Sequence, residues 1–290
     1  MPDLPPSDRR RPTPGEGDKN LLIRRLTTLE EYQACVHLQE ITWGRAYPDL
    51  VPTSILLVTQ KIGGIVAGAF DISGTLVGFV FGMAGYRHGR PIHWSDMLAV
   101  HPDWRDSGVG TQLKFFQRAE VLKLGVKEIF WTFDPLVARN ARFGLVRLGA
   151  EIDSYVPDMY VEGSDELHRG LGMDRCIAVW RIFSSRVEAI AAGRLVPHIE
   201  PAPDVPVVNS QAGGTGTILP ATLPLLDAPA IRIEIPLNIH AIRDTDPSTA
   251  RQWRESTRRA FQHYLKCGYH VSTLVRNPEG DRVYYLLTCT

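Results

Sequence analysis

Residues 98–111 combine an apolar strand, a loop with two glycines and the start of a helix, an order suited to binding an anion. The segment reads Leu98-Ala99-Val100-His101-Pro102-Asp103-Trp104-Arg105-Asp106-Ser107-Gly108-Val109-Gly110-Thr111. Several backbone N–H groups converge at the N-terminus of a helix, where the helix dipole is positive. Glycine at positions 108 and 110 lets a phosphate approach those amides, and Arg105 adds a charge-assisted hydrogen bond. The spacing V-x-P-x-x-R-x-x-G-x-G, between strand and helix, favours a pyrophosphate site over an ordinary tight turn.

Two other phosphate-binding loops fit these residues less well. A P-loop carries a lysine directly after its last glycine, whereas Thr111 and Gln112 follow Gly110 here. A dinucleotide-binding loop has a third glycine where Leu113 stands, and it normally occupies the first strand-to-helix turn of its domain.

Hydrophobic periodicity predicts the elements that position this loop. Between residues 21 and 183 the predicted order is strand, two helices, three strands, helix, strand, helix and two strands, which is a mixed α/β (α+β) layer rather than a βαβ ladder. The predicted strands are 21–25, 65–71, 75–82, 94–100, 128–133, 152–159 and 176–183, and the predicted helices are 29–42, one after Pro52, 111–124 and 138–148.

Two breaks in composition divide the 290 residues. Residues 1–19 carry five prolines and predict a disordered tail, and the Pro/Gly-rich residues 196–230 predict a flexible linker. A main body at 20–195 and a small C-terminal domain at 231–290 remain. The C-terminal domain has the predicted order strand, helix, strand, strand, which repeats the second half of the main body. A basic stripe on its helix is interpreted as a solvated face, with arginines at 251, 254, 258 and 259.

The composition is that of a globular protein and excludes several classes. Hydrophobic residues make up 44% and charged residues 22%, and 32 basic residues balance 32 acidic ones, so no nucleic-acid partner is expected. The four cysteines and nine histidines show no metal-ligand spacing, so no metal site and no disulfide framework are predicted. The N-terminal residues lack the apolar core of a signal peptide, and no unbroken apolar run is long enough to span a bilayer. A cytoplasmic location without membrane attachment is the expectation.

The segment Arg105-Asp106-Ser107-Gly108-Val109-Gly110 resembles the Q/R-x-x-G-x-G/A signature of GNAT-superfamily acyltransferases, which binds the pyrophosphate of acetyl-CoA in that family. The resemblance implies a GNAT-like fold, a mostly antiparallel sheet flanked by helices, with acetyl-CoA or another acyl-CoA as co-substrate. It further implies that the fourth and fifth strands splay and that a pantetheine arm pairs with the backbone of Leu98, Ala99 and Val100. The residues that it assigns to acyl-CoA binding are these three, the loop residues Arg105, Asp106, Ser107, Gly108, Val109, Gly110 and Thr111, and Asn140 and Phe143 of the following helix.

The resemblance leaves the catalytic residues open. Asp96 lies on the strand that leads into the loop, where bases of this family often sit, and His93 and Glu40 are further candidates. An amine near pKa ~10.4 is almost wholly charged at neutral pH, so the need for a base depends on the acceptor. Many family members place a tyrosine where counting back from Gly149 gives Leu145. Either Tyr155 or Tyr160 protonates the leaving thiolate in its place, or water does, or acyl transfer does not occur.

The resemblance implies a CoA-dependent N-acyltransferase that moves an acetyl or other acyl group to the amine of a small molecule. A non-catalytic acyl-CoA-binding or regulatory module of the same fold is the alternative, favoured by the missing helix tyrosine. The C-terminal domain is expected to pair with the main sheet, to cover the acceptor cleft or to form a homodimer.

Overall fold

A seven-stranded mixed sheet organises the main body, in the order β1-β2-β3-β4-β5-β7-β6. The pairing of β4 with β5 is parallel, and all other neighbours in this sheet are antiparallel. The predicted fold class, a mixed and mostly antiparallel sheet, is therefore confirmed. The strands are β1 (Leu22–Arg25), β2 (Ile65–Phe70), β3 (Leu76–Arg87), β4 (Arg90–Val100), β5 (Glu128–Phe133), β6 (Glu151–Val156) and β7 (Arg175–Arg181).

The computed structural model describes residues 21–45, 47–160, 170–194, 204–213, 218–277, 279–280 and 282–289. The predicted tail at 1–19 lies outside these residues.

Helices cover both faces of the sheet. The first begins at a capping box, because the Thr28 side chain accepts from the Glu31 amide while the Glu31 side chain accepts from the Thr28 amide. Alternate residues of β2 join different cores: Val66 packs with the first two helices, and Ile65 packs with the third. The helices of the main body are α1 (Leu29–Trp43), α2 (Thr53–Lys61), α3 (Val109–Lys123), α4 (Ala138–Ala141) and α5 (Ser185–Ala191).

Two predicted elements of the main body need correction. Residues 86–90, read as a polar crossing, belong to the β3–β4 hairpin, because its exposed end has no core to cover and tolerates polar residues. The predicted helix 138–148 is α-helical only at its start, and a π-helical segment, Arg142–Arg147, follows. Such segments change the direction in which successive side chains point and are frequent at functional sites.

The C-terminal residues form a second sheet, with the order β10-β12-β11 and antiparallel pairing. The predicted strands and long helix are present, and a short helix between them was missed. Within the predicted linker, the described residues include two short paired strands. The elements are β8 (Ser210–Ala212), β9 (Ile218–Pro220), β10 (Ala230–Ile235), α6 (Ile239–Thr245), α7 (Pro247–Lys266), β11 (Tyr269–Arg276) and β12 (Val283–Cys289).

The C-terminal domain shares a hydrophobic core with the main body. One cluster of buried side chains contains Phe133 and Leu145 together with Phe261 and Tyr285. The Tyr285 hydroxyl also donates to the Pro135 carbonyl oxygen, at 2.7 Å. The domain boundaries themselves stay a prediction, but the packing shows that the C-terminal domain supports the end of β5.

The basic stripe on α7 is not a solvated face at its centre. Arg254 is 4% exposed and pairs with Asp134 at the end of β5. Arg258 pairs with Asp174 and with Asp158. The interpretation as a solvated face is wrong for these two arginines, because their carboxylate partners lie about a hundred residues away in sequence.

Candidate functional site

Strands β4 and β5 separate and open a cleft in the main sheet. Their parallel pairing is limited to His93 opposite Ile129 and Trp94 opposite Phe130. Directly afterwards β4 contains an extra residue, Asp96, at a β-bulge against β3. A bulge bends its strand and turns the local side chains. The C-terminal half of β4 therefore diverges from β5, as the resemblance implied.

The first cavity of the cleft has a volume of about 450 Å³ and lies at the glycine loop. Eleven of the twelve predicted cofactor-binding residues line it. Ser107 is the exception, since its hydroxyl donates to the Trp104 carbonyl oxygen, at 2.5 Å. The lining residues are Thr42, Leu98, Ala99, Val100, Trp104, Arg105, Asp106, Gly108, Val109, Gly110, Thr111, Arg139, Asn140, Arg142, Phe143 and Arg147.

The two glycines of the loop serve different purposes. Gly108, the N-cap of α3, has a φ of +85°, a conformation that favours glycine. A Cβ on Gly110 would lie 3.7 Å from Leu98 and 3.8 Å from Val100, which is ordinary contact. The protein itself therefore tolerates a side chain at 110. Gly110 itself lines the first cavity at the start of α3.

Four arginines give the first cavity a positive wall. Arg105 was predicted from the sequence, whereas Arg139, Arg142 and Arg147 were missed. The one acidic residue of the lining, Asp106, lies 3.2 Å from Arg139. The signal that could have revealed the missed residues is their repetition along the helix after β5. The resulting charge suits a ligand with several phosphates.

A second cavity, of about 490 Å³, adjoins the first. Both cavities are lined by Leu98, Asn140 and Phe143, which marks the place where they meet. The second cavity is rich in aromatic and charged side chains. Its remaining lining residues are Trp43, Tyr47, Asp49, Ser95, Asp96, Met97, Lys114, Trp131, Thr132, Phe133, Asp134, Tyr160, Met173 and Arg175.

Asp96 is the predicted base that the structure brings into the cleft. Its side chain is accessible from the second cavity. The surrounding protein removes part of the water around the Asp96 carboxylate, and this desolvation raises its pKa above the ordinary value of 3.8. Repulsion by the Asp49 carboxylate raises the pKa further. A carboxylate with a raised pKa is a stronger base than an ordinary one.

The other two candidate bases, Glu40 and His93, lie outside both cavities. Glu40 is beside His37 and Arg45 on the surface, at 3.4 and 3.7 Å. His93 is 1% exposed, with its Nε2 3.0 Å from the Gln117 amide nitrogen. Burial lowers the pKa of His93 to about 3, so its ring is neutral at physiological pH.

The two candidate tyrosines differ in place. The Tyr155 hydroxyl donates to Asp174, and its ring stacks on Phe261 of α7, with 5.2 Å between centroids. Burial raises the pKa of Tyr155. Tyr160 lines the second cavity, where its hydroxyl lies 3.3 Å from Thr132 Oγ1. Leu145, at the position of the family tyrosine, is buried in the core.

Lys114 is a site residue that sequence reasoning missed. It is 2% exposed, and its Nζ donates to Ser95 Oγ at 2.9 Å and to Gln117 Oε1 at 2.7 Å. The same nitrogen lies 4.5 Å from the centroid of the Trp131 ring. Burial lowers the pKa of Lys114 to about 7. The helical spacing of 114, 117 and 121, all on the buried face of α3, was the available signal.

Among the described residues, no group of three or more His, Cys, Asp or Glu side chains is arranged to hold a metal ion. Within the same residues, no helix is both long and apolar enough to cross a bilayer.

The strand order, the separation of β4 from β5 and the glycine loop at α3 define a GNAT-like fold. No protein-family model matches the sequence, and no curated protein matches it. Similar solved structures include the ribosomal-protein-S18-alanine N-acetyltransferase from Escherichia coli, which is 17% identical with a TM-score of 0.44 over 57% of this chain and 96% of that chain.

Two further structures show a comparable degree of similarity. An acetyltransferase of the GNAT family from Streptococcus pneumoniae is 17% identical, with a TM-score of 0.44 over 55% of this chain and 98% of that chain. A structure of the NatC complex bound to Gag peptide and CoA is 13% identical, with a TM-score of 0.42 over 56% of this chain and 98% of that chain. The remainder of the present chain lies outside each similarity.

Proposed function

We propose that the protein is an acyl-CoA-dependent N-acyltransferase that moves an acetyl or other acyl group to the amine of a small molecule. The observation that carries the proposal is the junction of two unlike cavities at Leu98, Asn140 and Phe143. The first cavity is lined by arginines and a helix N-terminus, and the second is lined by the Asp96 carboxylate, whose pKa is raised. A polyanionic donor and a cationic acceptor would meet at this junction.

The first cavity suits the phosphates of CoA. The amides at the start of α3 and the side chains of Arg105, Arg139 and Arg142 would hold a pyrophosphate. Gly110 leaves the space that such a group needs beside the helix N-terminus. When bound, an acyl thioester supplies an activated carbonyl carbon for attack by an amine.

Asp96 would act as the general base of the reaction, and Tyr160 would act as its general acid. An amine acceptor arrives mainly as an ammonium ion, which cannot attack until it loses a proton. The Asp96 carboxylate would hold that ammonium ion and accept the proton, directly or through one water molecule. The Tyr160 hydroxyl faces the same cavity and would donate a proton to the departing sulfur.

Thermal unfolding in the presence of CoA, acetyl-CoA, succinyl-CoA, ATP and NAD tests the donor site. A ligand at a hundred times its dissociation constant stabilises the protein by about 2.7 kcal/mol, so a clear shift is expected for CoA species alone. Arg105→Glu should abolish the shift, while Arg251→Glu on the exposed side of α7 should retain it. Absence of any response to CoA species would refute the donor assignment.

Release of free thiol from acetyl-CoA, measured with a panel of amines, tests catalysis. Turnover that disappears in Asp96→Asn supports an enzyme. Binding of CoA species without turnover on any amine would instead support the non-catalytic acyl-CoA-binding module.

A further inference from the structure

Two buried basic side chains line the second cavity without a carboxylate partner. Lys114 is 2% exposed and Arg175 is 7% exposed. Arg175 donates to the Asp174 backbone carbonyl at 2.9 Å, and its guanidinium carbon lies 5.3 Å from the centroid of the Tyr160 ring. Within the described ranges, no carboxylate approaches either cation within 4.0 Å. Burial of a cation without a counter-ion is costly, so these two side chains are suited to receive an anion from a ligand.

Two carboxylates stand in the same cavity and suit a cation. Asp49 lies before α2, and Asp96 lies on the bulge of β4. A third carboxylate of the lining, Asp134, is already paired with Arg254, at 2.6 Å. The cavity thus offers two carboxylates and two basic side chains for groups of opposite charge on a single ligand.

Aromatic side chains form much of the remaining wall. Trp43, Tyr47, Trp131, Phe133 and Tyr160 all line the second cavity. Such surfaces favour an apolar or aromatic group on the ligand. The volume of about 490 Å³ accommodates a molecule of amino-acid size.

We infer that the acceptor is a free amino acid with an apolar or aromatic side chain, whose ammonium group faces Asp96 and Asp49 and whose carboxylate faces Arg175 and Lys114. This inference rests on the proposed function. A simple amine would leave both cations without a counter-ion, and the N-terminus of a peptide presents an amide in place of the carboxylate. Two hydrogens of the Lys114 ammonium serve Ser95 and Gln117, which leaves the third for the ligand.

The reaction balances with the groups named. The amine nitrogen of the amino acid forms a bond to the acyl carbon, and the thioester C–S bond breaks. Of the two protons that the ammonium group loses, one leaves with the sulfur as the thiol and one passes through Asp96 to solvent. The amino-acid carboxylate takes no part in bond making and sets only the orientation.

Matched acceptors test the inference through thiol release from acetyl-CoA. L-Phenylalanine, L-tyrosine, L-tryptophan, L-leucine and L-methionine are each compared with the corresponding amide and the corresponding decarboxylated amine. At least one acid should exceed its amide and its amine by about 10- to 100-fold in kcat/KM, the range for charge-assisted hydrogen bonds. Arg175→Gln should reduce this ratio to a few-fold, whereas Arg181→Gln, on the exposed end of the same strand, should leave it unchanged.

The ratio of acid to amide separates recognition from stability, because a variant that merely unfolds lowers both rates together. Amides or amines used as well as the acids would overturn the inference and leave the acyltransferase proposal intact. An unchanged ratio in Arg175→Gln would overturn it equally.

A binding measurement covers the case in which no acceptor turns over. Calorimetric titration of the protein with the same acids and amides, with and without CoA, measures the dissociation constant of each compound directly. Tighter binding of an acid than of its amide supports the placement of a free amino acid in the second cavity, and it does so even if the protein proves not to transfer acyl groups. Binding of no acid, or equal binding of acid and amide, refutes it.

Discussion

The Arg254 guanidinium on helix α7 lies 2.6 Å from the Asp134 carboxylate at the end of β5, and both side chains are almost fully buried. Arg254 also donates to the Leu171 carbonyl oxygen at 2.8 Å, and Asp134 accepts a hydrogen bond from the Leu136 amide at 2.9 Å. Asp134 lines the second cavity. The C-terminal domain therefore fixes one wall of the cavity in which we place the acceptor.

Replacement of Arg254 by methionine should lower the free energy of unfolding by about 3–5 kcal/mol, because the Asp134 carboxylate would remain buried without a counter-ion. Addition of Asp134→Asn should restore part of the loss, since the amide oxygen can still accept from Leu136. Urea unfolding followed by circular dichroism measures both changes. Equal stability of the wild type and Arg254→Met would contradict the role of this ion pair.

The two loop glycines should respond differently to alanine. Gly110→Ala should stabilise α3 by up to about 1 kcal/mol, since the new methyl makes only ordinary contacts and alanine favours helix. The family signature accepts alanine at this position, so Gly110→Ala should leave CoA binding within a few-fold of the wild type, whereas the longer side chain of Gly110→Leu should weaken it at least tenfold by filling space in the first cavity. Gly108→Ala should instead cost about 1–2 kcal/mol, because φ at 108 is +85°. Thermal unfolding and calorimetric titration with CoA measure these effects, and unaltered CoA binding in Gly110→Leu would exclude a close approach of CoA to this part of the loop.

Asp96→Asn should lower kcat by about 10²–10⁴, the usual contribution of a general base. The wild-type rate should fall as the pH decreases through the raised pKa of Asp96, because protonation removes the base. The variant should lack this acidic limb. A rate profile against pH, measured under saturating acetyl-CoA, checks both statements, and an identical acidic limb in the variant would assign the titration to another group.

The same substitution should raise the free energy of unfolding at neutral pH. The folded state holds the Asp96 proton more tightly than the unfolded state does, so the stability gained from that proton is lost as the pH rises through the folded pKa. Asparagine carries no charge at any pH and avoids the loss. A lower free energy of unfolding for Asp96→Asn than for the wild type at pH 7 would contradict the desolvation of the Asp96 carboxylate and its raised pKa.

The sequence predicted those parts of the fold that local patterns specify. The start of α1, where Thr28 and Glu31 form the capping box, was predicted to the residue, and so were both bounds of β5. The loop from Arg105 to Thr111 could be predicted as a site because its signature is a short contiguous spacing, and six of its seven residues line the first cavity. In each case the determining interactions lie within a few positions along the chain.

Features that depend on distant partners were not predictable in this way. The bulge at Asp96 arises from the mismatch between β4 and β3, which no pattern within β4 reveals. Lys114 is buried because Ser95 and Gln117 satisfy it, and Ser95 is 19 residues away. Arg254 resembles a surface arginine until Asp134 is known to lie against it.

The two tyrosines near the cleft should separate catalysis from stability. Tyr160→Phe should lower kcat with little change in stability, because its hydroxyl faces the second cavity. Tyr155→Phe should lower the free energy of unfolding by about 1–3 kcal/mol, since its buried hydroxyl donates to Asp174, and it should leave kcat close to the wild-type value. Steady-state kinetics and urea unfolding of both variants make the comparison. A larger fall of kcat in Tyr155→Phe than in Tyr160→Phe would reverse the assignment.

Lys114 should make stability depend on pH above neutrality. Burial lowers its pKa from 10.5 to about 7, and the groups around its ammonium are the neutral Ser95, Gln117 and Trp131. Between about pH 7 and 10 the unfolded chain binds a proton that the folded chain lacks, so the free energy of unfolding should rise with pH in this window. On acidification the gain is lost over the same window, and it is gone once the pH has fallen to about 7.

Lys114→Met should remove this rise and be more stable than the wild type at pH 7, whereas Lys61→Met, at an exposed position on α2, should keep it. Urea unfolding between pH 6 and 10 measures how the free energy of unfolding of each protein changes with pH. A bound carboxylate would favour the ammonium form of Lys114, so saturation with an amino acid that binds should shift the rise to higher pH. If the free energy of unfolding still rises with pH in Lys114→Met, another group titrates. If the bound amino acid does not shift the rise in the wild type, its carboxylate lies away from Lys114.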